Sequence, residues 1–153
     1  MTPTSTAKPR TALFPGSFNP FTPGHADIVR RGLELFDSII IGVGVNCRKP
    51  AADIEAILAP IRRLYNAEPR VSVEAYSELT VRFAQRIGAQ FLLRGVRSVK
   101  DFEYERDLAQ VNRQLSGIDS VILFSDPALA AWSSSVVREL QAFGEDIDPY
   151  LPH

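Results

Sequence analysis

Cysteine is nearly missing from this chain of 153 residues: Cys47 stands alone. One thiol excludes an intrachain disulfide and any zinc site made of several cysteines, and it suits a reducing compartment. No apolar run is long enough to cross a bilayer. The longest, Ile39 to Val45, is broken by Gly42 and Gly44 and falls far short of the roughly 20 residues needed. The opening stretch, Met1 to Arg10, is rich in Thr, Ser and Pro and lacks the apolar segment of a secretory leader. A net charge of −1 provides no broad basic field for nucleic acid or an acidic membrane. The expectation is a cytoplasmic protein with neither as partner, in which any anion site is assembled locally.

What is present suits one soluble domain: 45% hydrophobic and 23% charged residues, with enough chain to bury a core. Residues 1–9 read as a flexible tail and 10–153 as the domain. Apolar runs at Thr11–Phe14, Ser38–Asn46, Arg70–Tyr76, Gln90–Arg94 and Ser120–Ser125 read as strands covered on both faces. Amphipathic stretches near His25–Phe36, Asp53–Tyr65, Leu79–Ile87, Lys100–Leu115 and Ser134–Phe143 read as helices. Gly88, Gly117 and Gly144 mark helix ends, and Asp53 is a candidate cap. Pro60 falls inside the second helical pattern and is expected to end or kink it. The alternation implies an α/β, Rossmann-like domain: a five-stranded parallel sheet with helices on both faces. Ligands then bind beyond the carboxyl ends of the strands, where strand order reverses.

Four segments follow strands directly, and three carry distinctive chemistry. Pro15-Gly16-Ser17-Phe18-Asn19-Pro20-Phe21-Thr22-Pro23-Gly24-His25 is stiffened by prolines and leads into a helix. A histidine in the first helical turn adds a donor where free N–H groups already favour an anion. Arg94-Gly95-Val96-Arg97-Ser98 places two guanidinium groups around a glycine, a set able to converge on one anion. Ser133-Ser134-Ser135 opens the last helix, either as simple caps or as a phosphate cradle. After Lys100, the helical spacing predicts a buried stripe of Tyr104, Leu108, Val111 and Leu115, with Glu105 and Asn112 on a neighbouring face. Charge pairing on a solvated helix accounts equally well for its many ionic residues. Gly42-Val43-Gly44 lacks the third glycine of a dinucleotide fingerprint and lies within a strand, so that reading is rejected. Cys47 has no histidine near it in sequence, which argues against a nucleophile.

The first segment resembles the signature loop of the nucleotidyltransferase superfamily, G-T/S-F-D-P followed by T/H-x-G-H. Asn19 stands where the usual Asp would be, and Thr22 where some members carry a first histidine. The string RGVRSVKDFEYERDLAQVNRQL is similar to a segment of phosphopantetheine adenylyltransferases that other superfamily members lack. The resemblance spans nearly Lys8 to Pro152. It implies transfer of the adenylyl group of ATP to 4′-phosphopantetheine, giving dephospho-coenzyme A and pyrophosphate, with Mg²⁺ accompanying ATP and a homohexameric assembly.

It further implies that His25 stabilises the transition state, with Lys49 and Arg94 as its catalytic companions on the acceptor phosphate. Arg48 competes with Lys49, because the PAADIEAILAPIRRLY stretch that follows departs from the family pattern. The ATP contacts carried over are Ser17, Phe18, His25, Gly95, Val96, Arg97 and Glu105. To these are added Leu129, Ala130, Ala131, Trp132, Ser133, Ser134 and Ser135, with Trp132 in place of the usual Ile. On the acceptor side the resemblance implies Ser17, Lys49, Thr80, Arg94, Leu108 and Asn112. The alternatives are nicotinamide or nicotinate mononucleotide as acceptor, and a nucleotide-binding sensor without catalysis.

Overall fold

In the computed structural model, residues 7–46 and 48–153 are described. Residues 1–6 of the expected tail and Cys47 lie outside that set. The strands are β1 (Thr11–Gly16), β2 (Ser38–Gly44), β3 (Val71–Tyr76), β4 (Phe91–Val96) and β5 (Asp119–Phe124). They alternate with α1 (Pro23–Gly32), α2 (Ala51–Leu64), α3 (Thr80–Arg86), α4 (Val99–Ser116) and α5 (Ser134–Ala142), and a 3-10 turn at Asp148–Tyr150 follows. Every strand pair is parallel, in the order β3-β2-β1-β4-β5.

The central strands are buried because both faces carry helices. Ile28 and Val29 of α1 and Leu58 and Ile61 of α2 pack with Phe14, Ile39, Ile41 and Leu93. On the opposite face Val81, Phe83 and Ala84 of α3 meet Leu13, Tyr76 and Leu92. Each Val, Leu, Ile or Phe side chain among them contributes about 1.5–3 kcal/mol on leaving water. Coverage fails at the sheet edges, against expectation. In β3 the buried Val71 and Val73 alternate with exposed Ser72 and Glu74, and β5 has no fully buried residue. An edge strand has a single neighbour and less helix above it.

Gly88, Gly117 and Gly144 take positive φ values of 74°, 74° and 81°, as helix-ending glycines should. One other expectation fails. Asp53 is not the cap of α2, which starts at Ala51 behind Pro50 with no side-chain cap; Asp53 lies inside the first turn, where its charge suits the positive helix end. Of the two outcomes expected at Pro60, termination does not occur: the helix continues to Leu64.

The expected buried stripe of α4 is also overturned. Tyr104, Val111 and Leu115 are 66%, 50% and 47% exposed, whereas Glu105 and Asn112 are buried at 7% and 8%. The polar seam can turn inward because Glu105 finds a bidentate partner there: Arg94 donates from Nε at 2.9 Å and from Nη2 at 2.6 Å.

The sheet order reverses direction between β1 and β4. Those two strands pair only at Ala12↔Phe91 and Leu13↔Leu92, then part. Their carboxyl ends therefore open a crevice at the switch point.

Candidate active site at the β1–β4 crevice

The opening begins at Pro15, whose carbonyl is left without a β4 partner. Arg94 Nη1 donates to it at 2.6 Å, so one guanidinium bridges the parted strands while its other edge grips Glu105. Two cavities meet at this pair. One, of about 370 Å³, is lined by Ser17, Phe18, His25, Arg97 and Ser133 to Ser135 among others. The second, of about 200 Å³, is lined by Tyr76, Leu79, Thr80, Leu108, Ala109 and Asn112. Pro15, Gly16, Arg94 and Glu105 border both.

The first loop holds its shape through aromatic packing. Phe18, at φ 46°, folds its ring over the α-carbon of Gly16, where an added Cβ would lie 2.9 Å from the ring. A side chain there would force the Phe18 ring to shift. Phe18 also packs edge-on to Phe14 and to the His25 ring, with centroids 5.1 and 4.9 Å away, and Phe21 lies 5.3 Å from His25.

Helix α1 starts two residues before His25. Thr22 is its N-cap and accepts from the His25 N–H at 3.3 Å, while the Thr22 N–H donates to His25 Nδ1 at 3.0 Å. This is a capping box with histidine in the place of Glu. Because Nδ1 accepts, the neutral ring carries its proton on Nε2, the free edge of an imidazole that lines the large cavity. Burial, together with the charges of Arg97 and Arg94, pushes the His25 pKa down to about 4. At neutral pH the residue is an uncharged, oriented N–H donor.

The three serines take three separate roles. Ser133 caps α5, accepting from the Val136 N–H at 3.2 Å. The Ser134 hydroxyl donates to the Pro20 carbonyl at 2.8 Å, and Ser135 accepts from Arg138 at 3.3 Å. Arg138 also donates to the Asn19 carbonyl at 2.7 Å, so α5 is stapled to the first loop. Ser98 caps α4 by accepting from Asp101 N–H at 3.1 Å. The first turns of α1, α4 and α5 contribute Gly24 and His25, Asp101, and Ser134 and Ser135 to the lining of the large cavity, and the start of a helix favours an anion.

Most of the proposed ATP contacts line this cavity: Ser17, Phe18, His25, Gly95, Arg97, Glu105, Leu129, Ala130, Trp132 and the three serines. Thr80, Leu108, Asn112 and Arg94 border the smaller one, with Thr80 Oγ1 2.9 Å from the Tyr76 hydroxyl. Ser17 borders only the larger. Three of the named residues are not brought in. Val96 is fully buried in β4, Ala131 is exposed outside the lining, and Lys49 stands exposed in the β2–α2 connection, as does Arg48. Val96 was expected just past the fourth strand, which instead runs on to include it and turns its side chain into the core.

Sequence reasoning named Thr22 only as a motif position and missed its capping role, and it gave Arg138 and Tyr76 no place in the site. Thr22 had a signal, since Thr-Pro-x-x puts a capping residue directly before an N1 proline. Arg138 and Tyr76 had none, because their partners are distant in sequence.

A cytidylyltransferase-like family model matches residues 13–140. The phosphopantetheine adenylyltransferase of Bacteroides fragilis is 46% identical over 144 residues, covering 94% of this chain and 96% of the relative. That of Porphyromonas gingivalis is 50% identical over 146 residues, covering 95% of each. The chain belongs to the phosphopantetheine adenylyltransferase family. Among solved structures, a bifunctional NMN adenylyltransferase/ADP ribose pyrophosphatase from Francisella tularensis superposes with a TM-score of 0.68 at 14% identity. It aligns with 95% of this chain but only 46% of that one, so the likeness speaks for the shared fold. Family membership and the parted β1–β4 ends agree: the signature loop and the RGVRS segment are the two lips of one crevice.

Proposed function

We propose that the protein joins the adenylyl group of ATP to 4′-phosphopantetheine, forming dephospho-coenzyme A and pyrophosphate. The observation that carries this is the pair of cavities meeting at Arg94. The larger is ringed by hydroxyls and helix N-termini, as a triphosphate requires. The smaller mixes Leu79, Leu108 and Ala109 with Thr80, Asn112 and the Tyr76 hydroxyl, as an acceptor arm of alternating methylenes and amides requires.

In this reading an acceptor phosphate oxygen attacks the α-phosphorus of ATP. A P–O bond forms to the acceptor while the bond from the α-phosphorus to the bridging oxygen breaks, and pyrophosphate leaves. The attacking oxygen is already anionic near neutral pH, so no general base is needed. The protein contributes placement and oriented donors. His25 Nε2–H is aimed at the charge that develops, Arg94 holds the acceptor phosphate at the junction, and Arg97 faces the nucleotide phosphates. The part given to Lys49 rests on resemblance alone.

Mg²⁺ enters as part of the MgATP substrate. Among the described residues no three His, Cys, Asp or Glu side chains gather around a common point, so phosphate oxygens and water are its fitting ligands. No helix among the described residues is long and apolar enough to cross a membrane; a cytoplasmic location is carried over as an expectation. Val111 and Leu115, both exposed and on the same side of α4, support assembly of several copies, and a hexamer is the expected form. Light scattering on the purified chain tests that size.

Pyrophosphate release with each acceptor in turn tests the reaction. Turnover with nicotinamide mononucleotide but not phosphopantetheine would reassign the acceptor, and ATP binding without turnover on either would indicate a sensor.

A further inference from the structure

We propose that Tyr150 is a positioning residue for the nucleotide cavity, holding the indole of Trp132 as a fixed wall. Trp132 lines that cavity and ends the connection from β5 to α5. The connection is held mostly by its own backbone: Leu129 N–H donates to Asp126 O at 3.0 Å and Trp132 N–H to Leu129 O at 3.1 Å. Its link to the opposite lip, from Arg97 Nη1 to Ala130 O, is long at 3.5 Å. None of these bonds fixes the indole ring. Tyr150 does, lying nearly parallel to it at a centroid distance of 4.3 Å and an interplanar angle of 13°.

Tyr150 comes from the last turn of the chain, which is itself anchored. Ile147 is 4% exposed, and Tyr150 N–H donates to its carbonyl at 2.8 Å. Just beyond, Leu151 and Pro152 line a mostly apolar cavity of about 250 Å³ shared with Phe18 to Phe21 and with the α2 residues from Ala56 to Leu64. The same terminal segment therefore touches the Trp132 wall and the back of the signature loop. Tyr150 borders none of the three cavities and is 48% exposed, so it acts on a ligand only through Trp132. A flat indole held in place presents an apolar face to a base or ribose without first losing rotamer freedom on binding.

This inference rests on the larger cavity being the ATP site, and the test separates the two. Trp132 is the sole tryptophan, so its emission reports this wall alone. ATP is titrated into wild type, Tyr150→Phe and Tyr150→Ala, following both calorimetric heat and emission, and steady-state kinetics are measured for both substrates. The expected result for Tyr150→Ala is a red-shifted emission and a Kd and KM for ATP raised about 3- to 10-fold, the span of an ordinary aromatic pair. Its kcat and acceptor KM stay within about twofold, and Tyr150→Phe behaves as wild type. ATP constants unchanged in Tyr150→Ala overturn the proposal. So does a parallel rise in acceptor KM, which marks a general structural role, or heat of ATP binding to wild type with no change in Trp132 emission. No heat at all overturns the assignment of the cavity, and this inference with it.

Discussion

His25 has two separable jobs in this structure, and two substitutions pull them apart. Nδ1 closes the capping box by accepting from the buried Thr22 N–H. Nε2–H faces the cavity and is the group assigned to catalysis. Asn at this position can place its Oδ1 near the Nδ1 site and keep the cap, but it is too short to replace Nε2–H. His25→Asn should therefore lose roughly 10²- to 10³-fold in kcat, the usual worth of one preorganised donor, with a stability cost of about 1 kcal/mol or less. His25→Ala should lose as much kcat and also leave the Thr22 N–H without its partner, costing about 1–3 kcal/mol. Initial rates of pyrophosphate release at saturating ATP and phosphopantetheine give kcat, and thermal unfolding gives the stability of each variant. If His25→Asn kept kcat within about fivefold of wild type, the oriented donor would have no place in the mechanism. If both variants fell equally in stability, the capping role would be wrong.

Glu105→Gln removes the charge that faces Arg94 while keeping its shape. The guanidinium is partly open to the crevice, so the cost should be only about 1–3 kcal/mol, and the acceptor KM should rise more than the ATP KM; equal changes in both would contradict the junction geometry. Gly16→Ala pushes a methyl into the Phe18 ring and should destabilise by about 1–3 kcal/mol, read from denaturant unfolding, with the signature loop losing ATP affinity. The lowered pKa of His25 can be followed by NMR. The unfolded chain takes up this proton near pH 6.5 and the folded chain only near 4. Between those values the unfolded state binds more protons, so this stabilisation is complete above about pH 6.5 and is lost as pH falls toward 4. Its size is up to about 3 kcal/mol, reduced where crevice water screens the imidazolium. The His25 resonance should stay unprotonated down to about pH 5, and a midpoint near 6.5 would refute the buried, arginine-flanked setting.

Much of this architecture was readable from local patterns, for stated physical reasons. Ile39-Ile40-Ile41, β-branched and followed by glycines, reads as a covered strand, and Gly88, Gly117 and Gly144 reach the left-handed region that ends helices. The two lips of the crevice were found because chemistry-bearing residues sit at strand ends, which backbone topology alone brings together. What was misread depends on tertiary partners. Tyr104, Val111 and Leu115 are apolar at helical spacing, yet α4 buries Glu105 and Asn112 instead, because Arg94 from β4 is there to receive the carboxylate. Pro60 does not terminate α2, where packing of Leu58 and Ile61 in the core outweighs one missing N–H. The Trp132–Tyr150 stack and the Arg138 staple join positions that no local pattern relates.

The central physical claim is that one crevice grips a nucleotide triphosphate and a phosphorylated acceptor side by side at Arg94. Single-turnover mixing of the full chain with ATP, Mg²⁺ and 4′-phosphopantetheine, with nicotinamide mononucleotide run in parallel, tests it most directly. The account predicts one pyrophosphate and one dephospho-coenzyme A per active site with the first acceptor and none with the second. Tight binding of both ligands without any pyrophosphate, or turnover only with the mononucleotide, would contradict it.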